Sequence, residues 1–394
     1  MANSNKKRLI SSLASTKLAD LLISAKTTLP ALLLSLGAPG WMISWLVPLR
    51  ESGALLPQAA VGLILRRFPA RHVVWRVGMI IQASGVALIL ATALLLDGGM
   101  AGATIMAALC ILSLGRSACS LTVKDIEADV AAKGERGHLL GIASTISGIL
   151  TLLLAVPLVF YKDQLGQLAT TVIILLALVA FIVGLFILFP VKTRIDTDTT
   201  STDKENKTRF WQFDNVVYRF ILVRGLFVHS ALIAPYFMLE SESDATTLLP
   251  LYLAAQAGAT MLSSIIWGKI ADKSARTTLQ FAGTLALVAV CALLFVGAST
   301  VWVSALLFFI LSVAHTGVRT GRKTYSLDVR EGQQRTELVA FSNTAIGIIL
   351  LVFGALYAYL SSVLAFSVVY IMAGFLFIGI LLTGILPGEK AQNS

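Results

Sequence analysis

Two stretches of this chain, about half its length apart, carry the same residues in the same order. The first runs Asp129-Val130, then Arg136-Gly-His-Leu139, then Thr145-Ile-Ser-Gly148-Ile149. The second runs Asp328-Val329, then Arg335-Thr-Glu-Leu338, then Thr344-Ala-Ile-Gly347-Ile348. All seven shared residues fall at one offset of 199 positions. A second echo pairs Gly115-Arg116 and Ser120-Leu121 with Gly321-Arg322 and Ser326-Leu327, at an offset of 206. A chain of 394 residues that repeats at half its length is two copies of one unit. In a membrane protein such repeats mark a transporter whose site lies between the halves.

The composition places the chain in a membrane. Hydrophobic residues make up 57% and charged residues only 13%, where a soluble domain carries about 25% charged residues. The apolar runs are roughly 20 residues long, enough for a helix to cross the hydrocarbon core. They predict helices over 18–38, 42–65, 73–95, 101–122, 138–160 and 168–190, then over 215–238, 246–268, 277–297, 302–320, 336–359 and 364–386. The expected fold is therefore an all-α membrane protein with twelve transmembrane helices. Residues 1–190 form one six-helix bundle, 191–214 a polar linker and 215–394 a second bundle. No alternating pattern suggests strands, and lipid leaves helices and closed barrels as the spanning structures.

The basic residues orient the chain. With the N-terminus in the cytoplasm, 27 of the 31 Lys and Arg fall in cytoplasmic segments, and one, Lys162, lies outside. This asymmetry sets both termini inside. It also accounts for the net charge of +10 without a nucleic-acid partner. Trp41, Trp45 and Trp302 are expected at the outer interface, and Trp75, Trp211 and Trp267 at the inner one. The N-terminus does not read as a secretory signal, because Asp20 and Lys26 interrupt its apolar run. Cys110, Cys119 and Cys291 lie within spans, as packing residues rather than a metal set.

The remaining basic residues, Lys26, Arg50 and Arg224, lie within spans, as does one acid, Glu51. Ionisable groups at that depth are costly unless they face the protein interior or a wet cavity. Three cations against one carboxylate favour an anion, and arginine suits carboxylate or phosphate. These four are therefore expected to converge on a central cavity, with Glu51 as the carrier if protons couple to transport. Gln58, His229, Gln256 and Asn343 are further candidates for substrate contact. Asp20 reads as interfacial, and Arg116, Arg319 and Arg322 as side chains that snorkel to the inner surface.

The loop between the second and third helices of the second half reads Gly268-Lys-Ile-Ala-Asp272-Lys273-Ser-Ala-Arg276. It resembles the loop signature of the major facilitator superfamily. The matching first-half loop, Gly62-Leu-Ile-Leu-Arg66-Arg67-Phe-Pro-Ala-Arg71, has Arg66 in place of the acid. Lys26-Thr-Thr-Leu-Pro30 and Leu49-Arg50-Glu51-Ser-Gly53 resemble a bacterial permease branch of that superfamily. The resemblance implies the two-bundle facilitator fold, the bacterial inner membrane and transport of a small molecule. It further implies a cytoplasmic latch made by Gly268, Asp272, Lys273 and Arg276 against the helix near Gly137, with Arg136 as a neighbouring cation. The expectation is a monomer that works by alternating access without a cofactor. A phosphate-binding loop is missing, since Gly268-Lys269 is followed by Ile270, and no nucleophile and base cluster suggests an enzyme. A multidrug or metabolite exporter of the same fold is one alternative. A non-transporting receptor or assembly factor is another.

Overall fold

The structure is a computed structural model that describes residues 2–58, 61, 70–130, 136–192, 215–241, 243–328 and 332–387. Among these the chain is helical. The helices of the first half are α1 (Ala2–Leu22), α2 (Thr28–Ser35), α3 (Ile43–Leu55), α4 (Arg71–Leu95), α5 (Gly98–Val130), α6 (Arg136–Phe160) and α7 (Lys162–Leu188). Those of the second are α8 (Asn215–Phe227), α9 (His229–Leu232), α10 (Tyr236–Leu239), α11 (Ala245–Lys273), α12 (Ala275–Phe295), α13 (Val301–Asp328), α14 (Gly332–Val363) and α15 (Val369–Leu382). Nine spans among the described residues are long and apolar enough to cross a membrane. Residues 2–35, residues 40–55 and the shorter Val369–Ile385 complete an order consistent with twelve crossings. Most of the expected linker, residues 193–214, lies outside the described residues.

The first span departs from expectation. Helix begins at Ala2 rather than near residue 18, and it breaks over 23–27 before α2 resumes. Pro30, in the first turn of α2, has no N–H to continue a helix from above. The freed groups find local partners instead: Thr28 Oγ1 donates to the Leu22 carbonyl at 2.6 Å, and the Leu29 amide donates to the Ser24 carbonyl at 3.0 Å. The first span of the second half is broken at the corresponding depth, where α8, α9 and α10 are separated by Val228 and by Ile233–Pro235. The apolar average across both segments hides these breaks from a hydropathy reading.

Both sequence echoes mark places where helices approach closely. A Cβ on Gly115 of α5 would lie 2.6 Å from the Gly78 carbonyl oxygen of α4. One on Gly321 of α13 would lie 3.1 Å from the Ala275 carbonyl oxygen of α12. The other echo governs contacts between the halves. Gly148 of α6 faces Met261 of α11, and Gly347 of α14 faces Leu56 just past α3; a Cβ would meet those side chains at 2.7 and 2.8 Å. Small residues at such crossings let helices pack in lipid, where no hydrophobic drive holds them together. Thus α6 packs on α11 and α14 packs on α3 across the interface.

The outside of the molecule is apolar. Leu95, Phe160, Phe186, Leu262, Ile265 and Phe295 are each exposed by 68% or more, a surface suited to lipid rather than water. The protein is a multi-pass membrane protein. Trp41 and Trp302 are exposed, as interfacial residues should be, but Trp75 and Trp267 are buried. Trp267 fills the space left by Gly317 and donates from Nε1 to the Val313 carbonyl at 2.9 Å. Both are packing residues, and Trp211 lies outside the described residues. The three cysteines are free.

A candidate substrate cavity

Polar stripes at helical spacing run through four of the apolar helices and converge between the two halves. On α1, Lys17 and Asp20 share a face that continues to Ser24 beyond its end. On α6 the stripe is Ser144, Ser147 and Gly148. On α11 it is Gln256, Thr260 and Ser264, and on α13 it is Ser312, His315, Thr316, Arg319 and Thr320. Together with Arg50 and Glu51 of α3, Arg116 of α5 and Lys26, they line a cavity of about 380 Å³. Most lining residues lie on the side where α1 begins and α11 and α13 end, the side where α7 ends and α8 begins. On the far side, the Ser44 and Tyr236 hydroxyls share a hydrogen bond at 2.6 Å across the halves. Gly354 packs there on Pro48 and Trp45, and Tyr236, Phe237 and Met238 are buried. The cavity is therefore closed on the far side.

Five cations line it, Lys17, Lys26, Arg50, Arg116 and Arg319, against two carboxylates, Asp20 and Glu51. Asp20 Oδ1 accepts hydrogen bonds from Arg50 Nη2 and Arg116 Nη1, each at 2.7 Å. One carboxylate between two guanidiniums leaves the trio with a positive charge. Arg50 is 5% exposed, and its Nη1 is buried without a hydrogen-bond partner among the described residues. Leaving a buried charged donor unmatched costs more than leaving a neutral one, so Nη1 is a ready binding point. Lys17 is already engaged, with Nζ donating to the Leu140 carbonyl at 3.1 Å and to Ser144 Oγ. Lys26 sits in the break after α1, and neither its ammonium nor the Glu51 carboxylate makes a hydrogen bond or ion pair among the described residues.

The structure sorts the residues expected from sequence. Lys26, Arg50, Glu51 and Gln256 line the cavity, and Gln256 Oε1 accepts from Ser24 Oγ at 3.3 Å. Arg224, Gln58 and Asn343 do not line it. Arg224 donates to Ser342 Oγ at 2.7 Å and to Asn343 Oδ1 at 2.8 Å, and Asn343 Nδ2 reaches Gln58 Oε1 at 3.5 Å. This set joins α8 and α14 to the end of the second span. His229 is also outside the cavity. It is fully buried, bonds to Tyr357 Oη at 2.6 Å and to the Leu226 carbonyl at 2.7 Å, and stacks on Phe375. Depth in the membrane was readable for Arg224 and His229; the direction around the helix axis was not.

Other expectations are corrected in the opposite sense. Asp20 is not interfacial, and Arg116 and Arg319 do not snorkel away; all three line the cavity. Lys17 and His315 were not singled out, yet both lie on the polar stripes. Asp272 and Lys273 are exposed, and Asp272 makes no hydrogen bond or ion pair among the described residues. Arg276 Nη1 donates to the Leu386 carbonyl at 3.2 Å, within its own half. Gly268 has open space around it. The Arg136 side chain and residues 62–69 of the first-half loop lie outside the described residues.

With this geometry in hand, the fold is recognisable. No family model and no curated protein matches the sequence. Solved structures match along nearly the whole chain. The crystal structure of a D-xylose-proton symporter has a TM-score of 0.72 at 12% identity, covering 98% of both chains. A partially occluded inward-open structure of the xylose transporter XylE from E. coli has a TM-score of 0.72 at 11% identity, covering 100% of both. An inward-facing bacterial homologue of the iron transporter ferroportin has a TM-score of 0.64 at 17% identity, covering 97% of this chain and 98% of that one. The chain has the major facilitator fold: two pseudo-symmetric bundles of membrane-spanning helices around a central cavity.

Proposed function

We propose that this chain is a secondary transporter that carries a small organic anion across the bacterial inner membrane by alternating access. Its termini and linker lie in the cytoplasm, so the state described here is open to the inside. The orientation follows from the basic segments, and the open side agrees with the exposed position of Asp272. The chain works as a monomer, with the substrate as its small-molecule partner. The observation that carries the anion reading is the charge of the cavity, above all Arg50 Nη1 and the Lys26 ammonium, which have no hydrogen-bond partner among the described residues. A focused positive potential in a low-dielectric recess concentrates anions. It opposes a metal cation, and the described lining has no Phe, Tyr or Trp ring to hold a flat drug-like solute.

Glu51 is the cavity acid that makes no hydrogen bond or ion pair among the described residues. In a proton-coupled cycle its neutral form frees Lys26 and Arg50 for the anion, and its ionised form competes for them. Coupling through Glu51 is thus part of the proposal.

The test is flux. Protein reconstituted into liposomes should take up radiolabelled organic anions with saturable kinetics, and Arg50→Gln should raise the KM tenfold or more. A receptor or assembly factor would show no saturable flux. Uptake of neutral solutes with indifference to every anion would refute the proposal.

A further inference from the structure

We infer that the substrate is an aliphatic hydroxylated carboxylate, a solute of the sugar-acid class. The inference rests on the anion reading above and narrows it. The first-half wall carries donors buried in the cavity, and the second-half wall carries, beside Arg319 and the Gln256 amide, a row of hydroxyl acceptors. The first-half wall presents donors, Arg50 Nη1 and the Lys26 ammonium. Charged donors such as these suit the oxygens of a carboxylate.

The second-half wall presents hydroxyls whose protons are already committed. Thr260 Oγ1 donates to the Gln256 carbonyl, Thr316 Oγ1 to the Ser312 carbonyl and Thr320 Oγ1 to the Thr316 carbonyl, each at 2.9 Å. Ser264 Oγ donates to the Thr260 carbonyl in the same way. A carbonyl has no proton to give, so each hydroxyl must be the donor. A hydroxyl has one proton and two lone pairs. What these four partly exposed oxygens can still offer to a ligand is acceptance. A matching solute must bring its own donors along this wall and an anionic head to the other.

A simple carboxylate or dicarboxylate brings no donors and would leave the four acceptors unmatched. A neutral polyol would leave Arg50 and Lys26 unmatched. An amino acid brings one ammonium, which Glu51 could accept, but the cavity already holds three positive charges in excess. Its donors are also confined to one atom, whereas the acceptors are spread along two helices. The described lining holds no Phe, Tyr or Trp, and His315 is its single ring, which leaves little basis for sandwiching a nucleobase or aryl group. A volume near 380 Å³ falls within the roughly 300–1,000 Å³ of small-molecule sites.

The experiment uses the purified full chain in a thermal-shift titration, with counterflow in liposomes as the second readout. The probes are gluconate, hexanoate, sorbitol, succinate and L-glutamate. Gluconate should raise the melting temperature and drive counterflow, with at least tenfold weaker effects from the other four. Thr316→Val keeps the shape but removes an acceptor, and should weaken gluconate about 3- to 10-fold; Thr316→Ser should restore it. Hexanoate or succinate equal to gluconate, or Thr316→Val without effect, would overturn the hydroxyl-wall argument while leaving the anion reading standing. Glutamate tighter than gluconate would overturn it in favour of a zwitterion. Sorbitol equal to gluconate, or no response to any anion, would sink both readings.

Discussion

Asp20→Asn is the most informative single change. The Asp20 carboxylate accepts from Arg50 and Arg116 at 2.7 Å each, and an amide keeps its shape and one acceptor oxygen while removing its charge. An anion bound at the other Arg50 nitrogen would sit roughly 6 Å from Asp20, the width of a guanidinium plus two hydrogen bonds. Two unit charges at about 6 Å repel by about 0.7 kcal/mol in water and about 2.8 kcal/mol at an effective dielectric of 20. Asp20 is 30% exposed and Arg116 35%, so the cavity is wet and the lower part of that range applies. Asp20→Asn should therefore bind the anion tighter, by at least about threefold and at most about a hundredfold. Calorimetric titration of the purified protein with gluconate, wild type against variant, reads this directly. Weaker binding would show that Asp20 serves to hold Arg50 in place. Unchanged binding would show that the anion sits elsewhere.

Three further outcomes are expected. Glu51→Gln should abolish pH-driven accumulation in liposomes but keep substrate exchange; normal accumulation in the variant would make Glu51 a structural residue. Arg224→Met should leave anion affinity within about twofold, because Arg224 bonds to Ser342 and Asn343 outside the cavity, whereas Arg50→Met should cost tenfold or more; equal losses would return Arg224 to the site. Gly347→Leu should separate α14 from Leu56 at about 1–3 kcal/mol of overpacking and slow turnover, with Leu56→Ala restoring it; a Gly347→Leu protein with normal turnover would refute the close contact.

The repeat was the most legible feature because its residues are constrained by contact. Gly115 and Gly321 recur because helix backbones approach there, and Gly148 and Gly347 recur because each is where one half touches the other. The cavity was legible too, but in a signal that charge counting passes over. Lys17, Asp20 and Ser24, or Gln256, Thr260 and Ser264, fall three to four residues apart within apolar runs. Such a stripe is the sign of a wet face. Looking at single deep charges found Lys26, Arg50 and Glu51, but admitted Arg224 and His229 and assigned Asp20, Arg116 and Arg319 to the membrane surface. Arg224 is held through both Nη atoms by neutral oxygens on α14, with Nε left unpartnered among the described residues, a long-range pairing that residue type and depth do not encode. The broken first span was marked locally by Pro30, which the apolar average around it outweighs.

The far side of the cavity is held by uncharged groups: the Ser44–Tyr236 hydrogen bond and the packing of Gly354 on Pro48 and Trp45. Mobile ions weaken attractions between charges and scarcely touch neutral contacts. The two halves of a transport cycle therefore answer differently to ionic strength. Raising potassium chloride from low to physiological concentrations should screen the cationic recess and loosen its hold on the solute. The equilibrium between closed and opened far sides should stay nearly where it was. Salt thus becomes a reagent that separates capture of the cargo from the movement that carries it.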